Sequence, residues 1–325
     1  NLKSKWFIGL HHNWQPSMCS PYFDFNMTGR EDIHPSHPLI DMDACNFSPE
    51  YFYKVPKKDK LWDILYVTRS VYFKRIPAFL NSIRQLYDSG KKYRVLLICA
   101  VSPEKGSTDR SPENLIETYK QMFSHEEREL FNLMEINYNY PFPLDLETIS
   151  VFYKNSKVFA HFANNERRCR VTAYAHACGM PLVSYAAQVT LIPPHLRKQP
   201  VCFTATSDNE MTAQLINAVE HFNKEETYDD ALLQVSNYFS NDQSKKMFKN
   251  KLYEFFQNRG EQFVDEGLNL ENLDRRLGRH HSISFGSNKV DMDFNTFLDH
   301  LDNFESLKPY TSSKDLEMEL AKAYV

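Results

Sequence analysis

Glycine is scarce, with nine in 325 residues. The loops that rely on it to cradle phosphate are missing too: neither G-x-G-x-x-G nor G-x-x-x-x-G-K-[ST] occurs. The six cysteines, at 19, 45, 99, 169, 178 and 202, form no C-x-x-C pair, and Cys99 and Cys202 fall in apolar runs. Buried free thiols in a reducing compartment explain this better than a disulfide framework, so a cytoplasmic location is expected. No apolar run reaches the roughly 18 residues of a membrane span, and no signal peptide is visible. Basic charge is not in excess: 38 Lys and Arg face 42 Asp and Glu, a net of -4. That argues against a nucleic-acid partner.

What is there suits a globular chain with a sizeable core. Hydrophobic residues make up 42%, with 24 Phe and 18 Tyr, and charged residues 25%. The length fits one large domain or two ordinary ones. Residue 1 is Asn, so either the chain is processed or its native start lies upstream. The sequons Asn26-Met27-Thr28 and Asn46-Phe47-Ser48 occur without a secretory signal and read as chance.

Residues 1–60 are rich in His, Pro and aromatics, with weak periodicity, and read as an irregular N-terminal segment. From 61 to 240 strands and helices alternate. Apolar runs at 63–68, 93–101, 133–138, 157–162, 181–184 and 200–204 predict six buried strands. Helical spacing predicts helices over 76–87, 112–122, 146–153, 170–178 and 209–222. Pro77 must sit in the first turn of the first helix; Ser89-Gly90 ends it, and Gly179 ends the fourth. This alternation predicts an α/β fold, a doubly wound Rossmann-like parallel sheet with ligands at its carboxyl rim. Residues 226–256 look helical, and 241–325 read as a helical C-terminal extension, basic over 273–281 and acidic over 290–325.

Two constellations fall on that rim. Arg69 follows the first strand, and Lys74 comes five residues later at a helix start. Two cations there can grip a diphosphate, Arg by forked hydrogen bonds and Lys as a point charge, with the helix N-terminus adding to them. The alternative is a solvated basic turn. The second constellation is Asn164-Asn165-Glu166-Arg167-Arg168-Cys169-Arg170, between the fourth strand and its helix. Amides and a carboxylate can read sugar hydroxyls; an N-cap with solvated charges is the alternative. Elsewhere, His11, His12, Cys19, His34, His37 and Cys45 fit no standard zinc spacing, so no metal site is expected. Arg275, Arg276, Arg279, His280 and His281 form a basic patch, read as a solvated surface or a peripheral contact with anionic lipid.

The run Ile64-Leu65-Tyr66-Val67-Thr68-Arg69 followed by Lys74-Arg75 resembles the start of the donor domain of family-four retaining glycosyltransferases, which have two Rossmann domains (the GT-B type). There the strand ends in G-R, and K-G or K-R follows; Thr68 stands for the glycine. Further on, Phe162-Ala163-Asn164-Asn165-Glu166 and Tyr174 to Val183 resemble the family's P-S-x-x-E and E-A-M-A-C-G-x-P-V-V, with the Glu166-to-Gly179 spacing kept. Residues 144–159 and 200–222 resemble its other elements, so the likeness covers about 160 residues.

The resemblance implies roles. Arg69 and Lys74 would bind the donor diphosphate, and Glu166 would approach the transferred sugar, with Asn165 beside it. Cys169 and Arg170 would complete the phosphate or sugar site by their backbone, and Asn137 and Tyr138 would lie near the nucleobase. Tyr174 occupies the position of the family's second Glu, which holds the ribose hydroxyls. Arg167 and Arg168 replace small or apolar residues. The implied activity is metal-independent, cofactor-free hexosyl transfer with retention, from GDP-mannose or a UDP-hexose to a glycan, lipid or protein hydroxyl. Only about 60 residues precede the first strand, where the family has an acceptor domain. That domain is expected upstream, in reduced form, or from a partner; a homodimer is one form of the last. The rival readings are a degenerate nucleotide-sugar-binding module, a structural or assembly protein, and an epimerase or phosphorylase of the same architecture.

Overall fold

The computed structural model describes residues 7, 9–11, 24–27, 38–57, 60–101, 114–137, 144–166, 168–189, 191–224, 228–264, 266, 268–271, 284–285 and 288–289. The chain divides into two units. The larger is Ala44–Tyr253 with Leu268–Leu270; the smaller is Asn1–Asp43, Glu254–Gly267 and Glu271–Val325.

Three short strands of the smaller unit, β1 (Gly9–His11), β2 (Phe25–Met27) and β3 (Leu39–Ile40), pair in parallel in that order. At two or three residues each they are too short to leave a periodic signal, which is why this stretch reads as irregular. Phe7 and Phe25 pack on Phe255, and Phe7 also meets Phe256. The basic patch at 275–281, and most of the His and Cys residues before 40, lie outside the described residues.

The larger unit holds a parallel sheet of β4 (Trp62–Arg69), β5 (Val95–Val101), β6 (Phe131–Asn137), β7 (Ser156–His161), β8 (Leu182–Tyr185) and β9 (Cys202–Ala205). Their order is β6-β5-β4-β7-β8-β9, with every pairing parallel. This is the doubly wound order, in which the first and fourth strands are neighbours and the direction of winding reverses between them. The central strand β4 buries Ile64, Leu65 and Tyr66 completely. Such a strand has no polar face, so it reads as an unbroken apolar run. The last strand begins at Cys202 rather than Pro200, because proline has no N–H for the ladder.

The helices follow the periodic pattern. In α1 (Ile76–Asp88), Ile76, Phe79, Leu80, Ile83, Leu86 and Tyr87 are buried, Pro77 lies in the first turn, and Gly90 follows the end at φ +83. α2 is Leu115–Met122, with Asn114 at its N-cap; residues 112 and 113 of the expected helix lie outside the described residues. A further helix, α3 (His125–Leu130), follows it. Its signal was the capping box Ser124-His125-Glu126-Glu127: the Glu127 amide donates to Ser124 Oγ at 3.3 Å and the Ser124 amide to Glu127 Oε2 at 2.9 Å. Next come α4 (Leu146–Lys154), α5 (Arg170–Ala177) and α6 (Asp208–Lys224). The predicted helix over 226–256 is two, α7 (Tyr228–Tyr238) and α8 (Asn241–Asn258). Contacts join α1 to α6, and α4 and α7 to α5, the two groups expected for a sheet covered on both faces.

Aromatic rings fill the core where glycine is rare. Phe79 packs on Tyr66, Phe131 and Phe162, and Tyr153 stacks on Phe159. Asn26 and Asn46 are buried, at 1% and 7% exposure, so neither sequon presents its amide.

Candidate functional site

The site forms beyond the carboxyl ends of β4 and β7, where the strand order reverses. Open parallel sheets hold their ligands in this crevice. Arg69, the last residue of β4, is exposed. The chain then turns, and Lys74, five residues on, is buried at 6% exposure. The Tyr66 hydroxyl donates to the Lys74 carbonyl at 2.5 Å, and the Lys74 amide donates to Val71 O at 3.0 Å.

Arg75 then adopts the left-handed conformation, φ 53 and ψ 44. In a residue with a Cβ this costs about 1–2 kcal/mol. Its guanidinium donates to the Tyr185 hydroxyl at 2.5 Å and to Asp208 Oδ2 at 2.7 Å, while Tyr185 donates to Asp208 Oδ1 at 2.6 Å. These bonds hold the strained turn that aims Lys74.

Glu166 approaches from the β7 side. Its backbone amide donates to Gln188 Oε1 at 2.6 Å, and Gln188 Nε2 donates to Asn164 O at 3.1 Å. The Asn164 amide donates to Phe73 O at 3.1 Å, which ties this turn to the Lys74 loop. The Lys74 ammonium is hydrogen-bonded and ion-paired to Glu166 Oε2. The same oxygen lies 3.2 Å from His161 Nε2, and His161 Nδ1 lies 3.2 Å from Ser184 Oγ. His161 ends β7 and Ser184 lies in β8; both are fully buried.

The electrostatics follow from burial set against these partners. Burial pushes His161 below the usual histidine value, although Glu166 pulls the other way, so the ring is neutral. Its Nε2–H then donates to the carboxylate, and Nδ1 accepts from the Ser184 hydroxyl. Burial also opposes the Glu166 charge, but the His161 hydrogen bond and the Lys74 cation bring its pKa down to about 2. Burial opposes the Lys74 charge as well; the Cys169 sulfur and the Glu166 carboxylate outweigh it and raise the pKa. Since the Cys169 thiol is itself pushed up to about 12 by burial and then by Glu166, the carboxylate is what holds Lys74 protonated at neutral pH.

His161, Glu166 and Cys169 bring one potential ligand atom each within 4.8 Å of one another. The set already surrounds an ammonium, since Lys74 Nζ binds Glu166 and lies 4.0 Å from Cys169 Sγ. The cluster is suited to its lysine; a divalent ion would have to expel that cation and ionise a thiol held neutral.

The structure thus brings Arg69, Lys74, Asn165, Glu166, Cys169 and Arg170 to one rim. The Arg69 charge opposes that of Lys74. Asn165 is exposed beside Glu166, Cys169 caps α5 and is buried, and Arg170 opens α5, half-buried. Asn137 ends β6, two strands from β4. Tyr138 lies outside the described residues. Tyr174, expected at the ribose, is 5% exposed, its ring stacked on Phe52 at 4.2 Å and edge-on to Tyr153. An aromatic ring gains more from that core than from a polar rim.

Sequence reasoning missed His161, Ser184, Gln188, Arg75, Tyr185 and Asp208. Three of them left a trace: His161 is a polar residue inside the apolar run 158–163, Ser184 closes the run 181–184, and Arg75 follows Lys74 in the motif. Among the described residues, no helix is long and apolar enough to cross a membrane.

No protein-family model matches the sequence, and no curated protein matches it. Solved structures do match the fold. The pneumococcal O-GlcNAc transferase GtfA, in complex with UDP and GlcNAc, gives a TM-score of 0.50 at 10% identity over 72% of this chain and 45% of its own. Sucrose-phosphate synthase from Thermosynechococcus elongatus gives 0.52 at 15% identity over 73% and 59%. Both are GT-B glycosyltransferases. The likeness is one of fold, and the chain spans about half the length of these proteins.

Proposed function

We propose that this chain is the donor-binding part of a glycosyltransferase that uses a nucleoside-diphosphate sugar. The observation that carries the reading is the meeting of Arg69, Lys74, Glu166 and the start of α5 at the reversal between β4 and β7. Charge builds on the leaving diphosphate as the glycosidic bond loosens. Arg69, Lys74 and the α5 N-terminus would stabilise it without a divalent ion. Glu166 would accept hydrogen bonds from the sugar hydroxyls. Retention would follow from same-face attack by the acceptor hydroxyl, with the departing phosphate taking its proton, so the scheme uses no enzyme nucleophile. GDP-mannose and UDP-hexoses are the donors to try first, and the acceptor is a glycan, lipid or protein hydroxyl. The acceptor side would come from a further domain or a partner.

One observation favours a second reading, a module that binds the nucleotide sugar and transfers nothing. With Tyr174 in the aromatic core, no carboxylate stands at that position to grip the ribose hydroxyls.

The test is calorimetric titration with UDP, GDP and ADP sugars, with and without magnesium, followed by release of nucleoside diphosphate. Saturable, metal-independent binding is expected, with turnover once the acceptor side is supplied. Arg69→Ala is the cleaner variant, because Arg69 is exposed whereas Lys74→Ala also strands Glu166. Each should weaken donor binding by about 1–3 kcal/mol, the size of a charge-assisted hydrogen bond. Unchanged affinity in both sinks the phosphate assignment, and binding without turnover when the acceptor side is supplied selects the second reading.

A further inference from the structure

We infer that His161 is a positioning residue that keeps the Glu166 carboxylate in place when a donor diphosphate draws on Lys74. The inference rests on the donor-site reading above and extends it to residues that touch no ligand.

As the structure stands, Glu166 Oε2 is held from two sides, by the Lys74 ammonium and by His161 Nε2–H. The two holds differ in kind. Lys74 is a cation on a long stem at the crevice, and an arriving diphosphate competes for it. The diphosphate also repels the carboxylate, so the moment of donor binding is when Glu166 is least restrained. His161 is neutral and fully buried at the end of β7. A diphosphate cannot reach it, and the ring offers no charge to draw away.

The ring is itself oriented. Its Nδ1 faces the Ser184 hydroxyl at 3.2 Å, and Ser184 is fully buried in β8, the neighbouring strand. Accepting from that hydroxyl keeps the ring proton on Nε2, the nitrogen that faces Glu166. The Glu166 backbone is fixed separately, through Gln188. The line Ser184–His161–Glu166 therefore runs from rigid sheet to crevice and sets where the carboxylate oxygens point once Lys74 is engaged elsewhere. A carboxylate that meets the sugar while the bond breaks must be held to a few tenths of an ångström, and this line supplies that restraint.

The experiment uses the full chain, and calorimetry first identifies the nucleotide sugar. Turnover is then read as release of nucleoside diphosphate, and affinity as the Kd for UDP and GDP. His161→Leu removes the donor to Glu166. It should lower kcat about 10- to 100-fold, the usual cost of losing a group that orients a functional side chain, with the nucleotide Kd within about twofold of wild type. His161→Gln keeps an N–H near the same place and should recover about tenfold of that loss. Ser184→Ala guards against a folding failure at position 161, since the ring remains. Nitrogen-15 spectra of the imidazole should place the proton on Nε2 in wild type and show a mixture of the two neutral tautomers in Ser184→Ala, whose kcat should fall. A ring protonated on Nδ1 in wild type, a His161→Leu loss seen equally in Kd and kcat, or no recovery by Gln overturns the positioning role while donor binding stands. If wild type binds no nucleotide sugar, the donor-site reading fails, and this inference fails with it.

Discussion

Glu166→Gln gives the sharpest test of the charge pair at the crevice. The substitution keeps the side chain's shape and one hydrogen-bond acceptor but removes the negative charge. Lys74, 6% exposed, then carries a cation with no carboxylate against it. The magnitude follows from the carboxyl's pKa, held at about 2 where an unperturbed glutamate has about 4.5. A depression of that size corresponds to roughly 3 kcal/mol of stability at neutral pH. Removing one partner of a buried pair costs about 3–5 kcal/mol; the new amide's remaining hydrogen bond and Glu166's partial exposure place this case at or below the lower end. The raised Lys74 pKa reports the same interaction and adds nothing.

The sign is fixed by the depression. Stability from the pair is fully present above the ordinary carboxyl pKa and is lost as pH falls toward 2. Urea unfolding of wild type and variant, followed by circular dichroism at pH 7, 4 and 2.5, reads the difference directly. Other carboxylates, such as Glu127 with its pKa also about 2, titrate in both proteins and cancel. The variant should be about 3 kcal/mol less stable at pH 7, and the gap should shrink steadily through pH 4 and 2.5. A gap that stays constant with pH, or none at pH 7, refutes the pairing of Lys74 with Glu166.

Two further predictions concern backbone positions with positive φ. Gly90 and Gly179, at φ +83 and +69, end α1 and α5; a Cβ on Gly90 meets nothing, whereas one on Gly179 would lie 2.8 Å from Lys54 Cγ. Gly90→Ala should therefore cost about 1 kcal/mol by thermal melting and Gly179→Ala more, with Lys54→Ala recovering only the excess; equal costs would contradict the clash. Arg75→Gly relieves left-handed strain but loses the Tyr185 and Asp208 bonds, whereas Arg75→Ala keeps the strain and loses the same bonds. The alanine variant should be less stable than the glycine variant by about 1 kcal/mol, and the reverse order would show that the turn is not strained.

Much of this architecture can be read locally. A parallel strand covered on both faces must be apolar throughout, so Ile64 to Val67 announce β4 without knowledge of their neighbours. Helix α1 shows itself by the spacing of its buried residues, and Pro77 and Gly90 mark its ends by their own backbone limits. Arg69 and Lys74 stood out because charge at a strand end is local information as well. Short elements escaped: α3 has six residues, and its capping box was its only signal.

The pairings that make the site were not local. Lys74 meets Glu166 across 92 positions, and His161 meets Ser184 across 23. Which strand ends adjoin is set by the crossovers, so only the β4–β7 adjacency turns a basic turn and an acidic turn into one buried ion pair. Tyr174 makes the same point. Its place in the motif says nothing of the Phe52 ring, 122 positions away, on which it stacks. The sequence determined the elements and the charges at their ends, because backbone limits and apolar periodicity act over a few residues. The tertiary structure decided which charges are buried together and which rings stack, because desolvation and packing depend on neighbours remote in the chain.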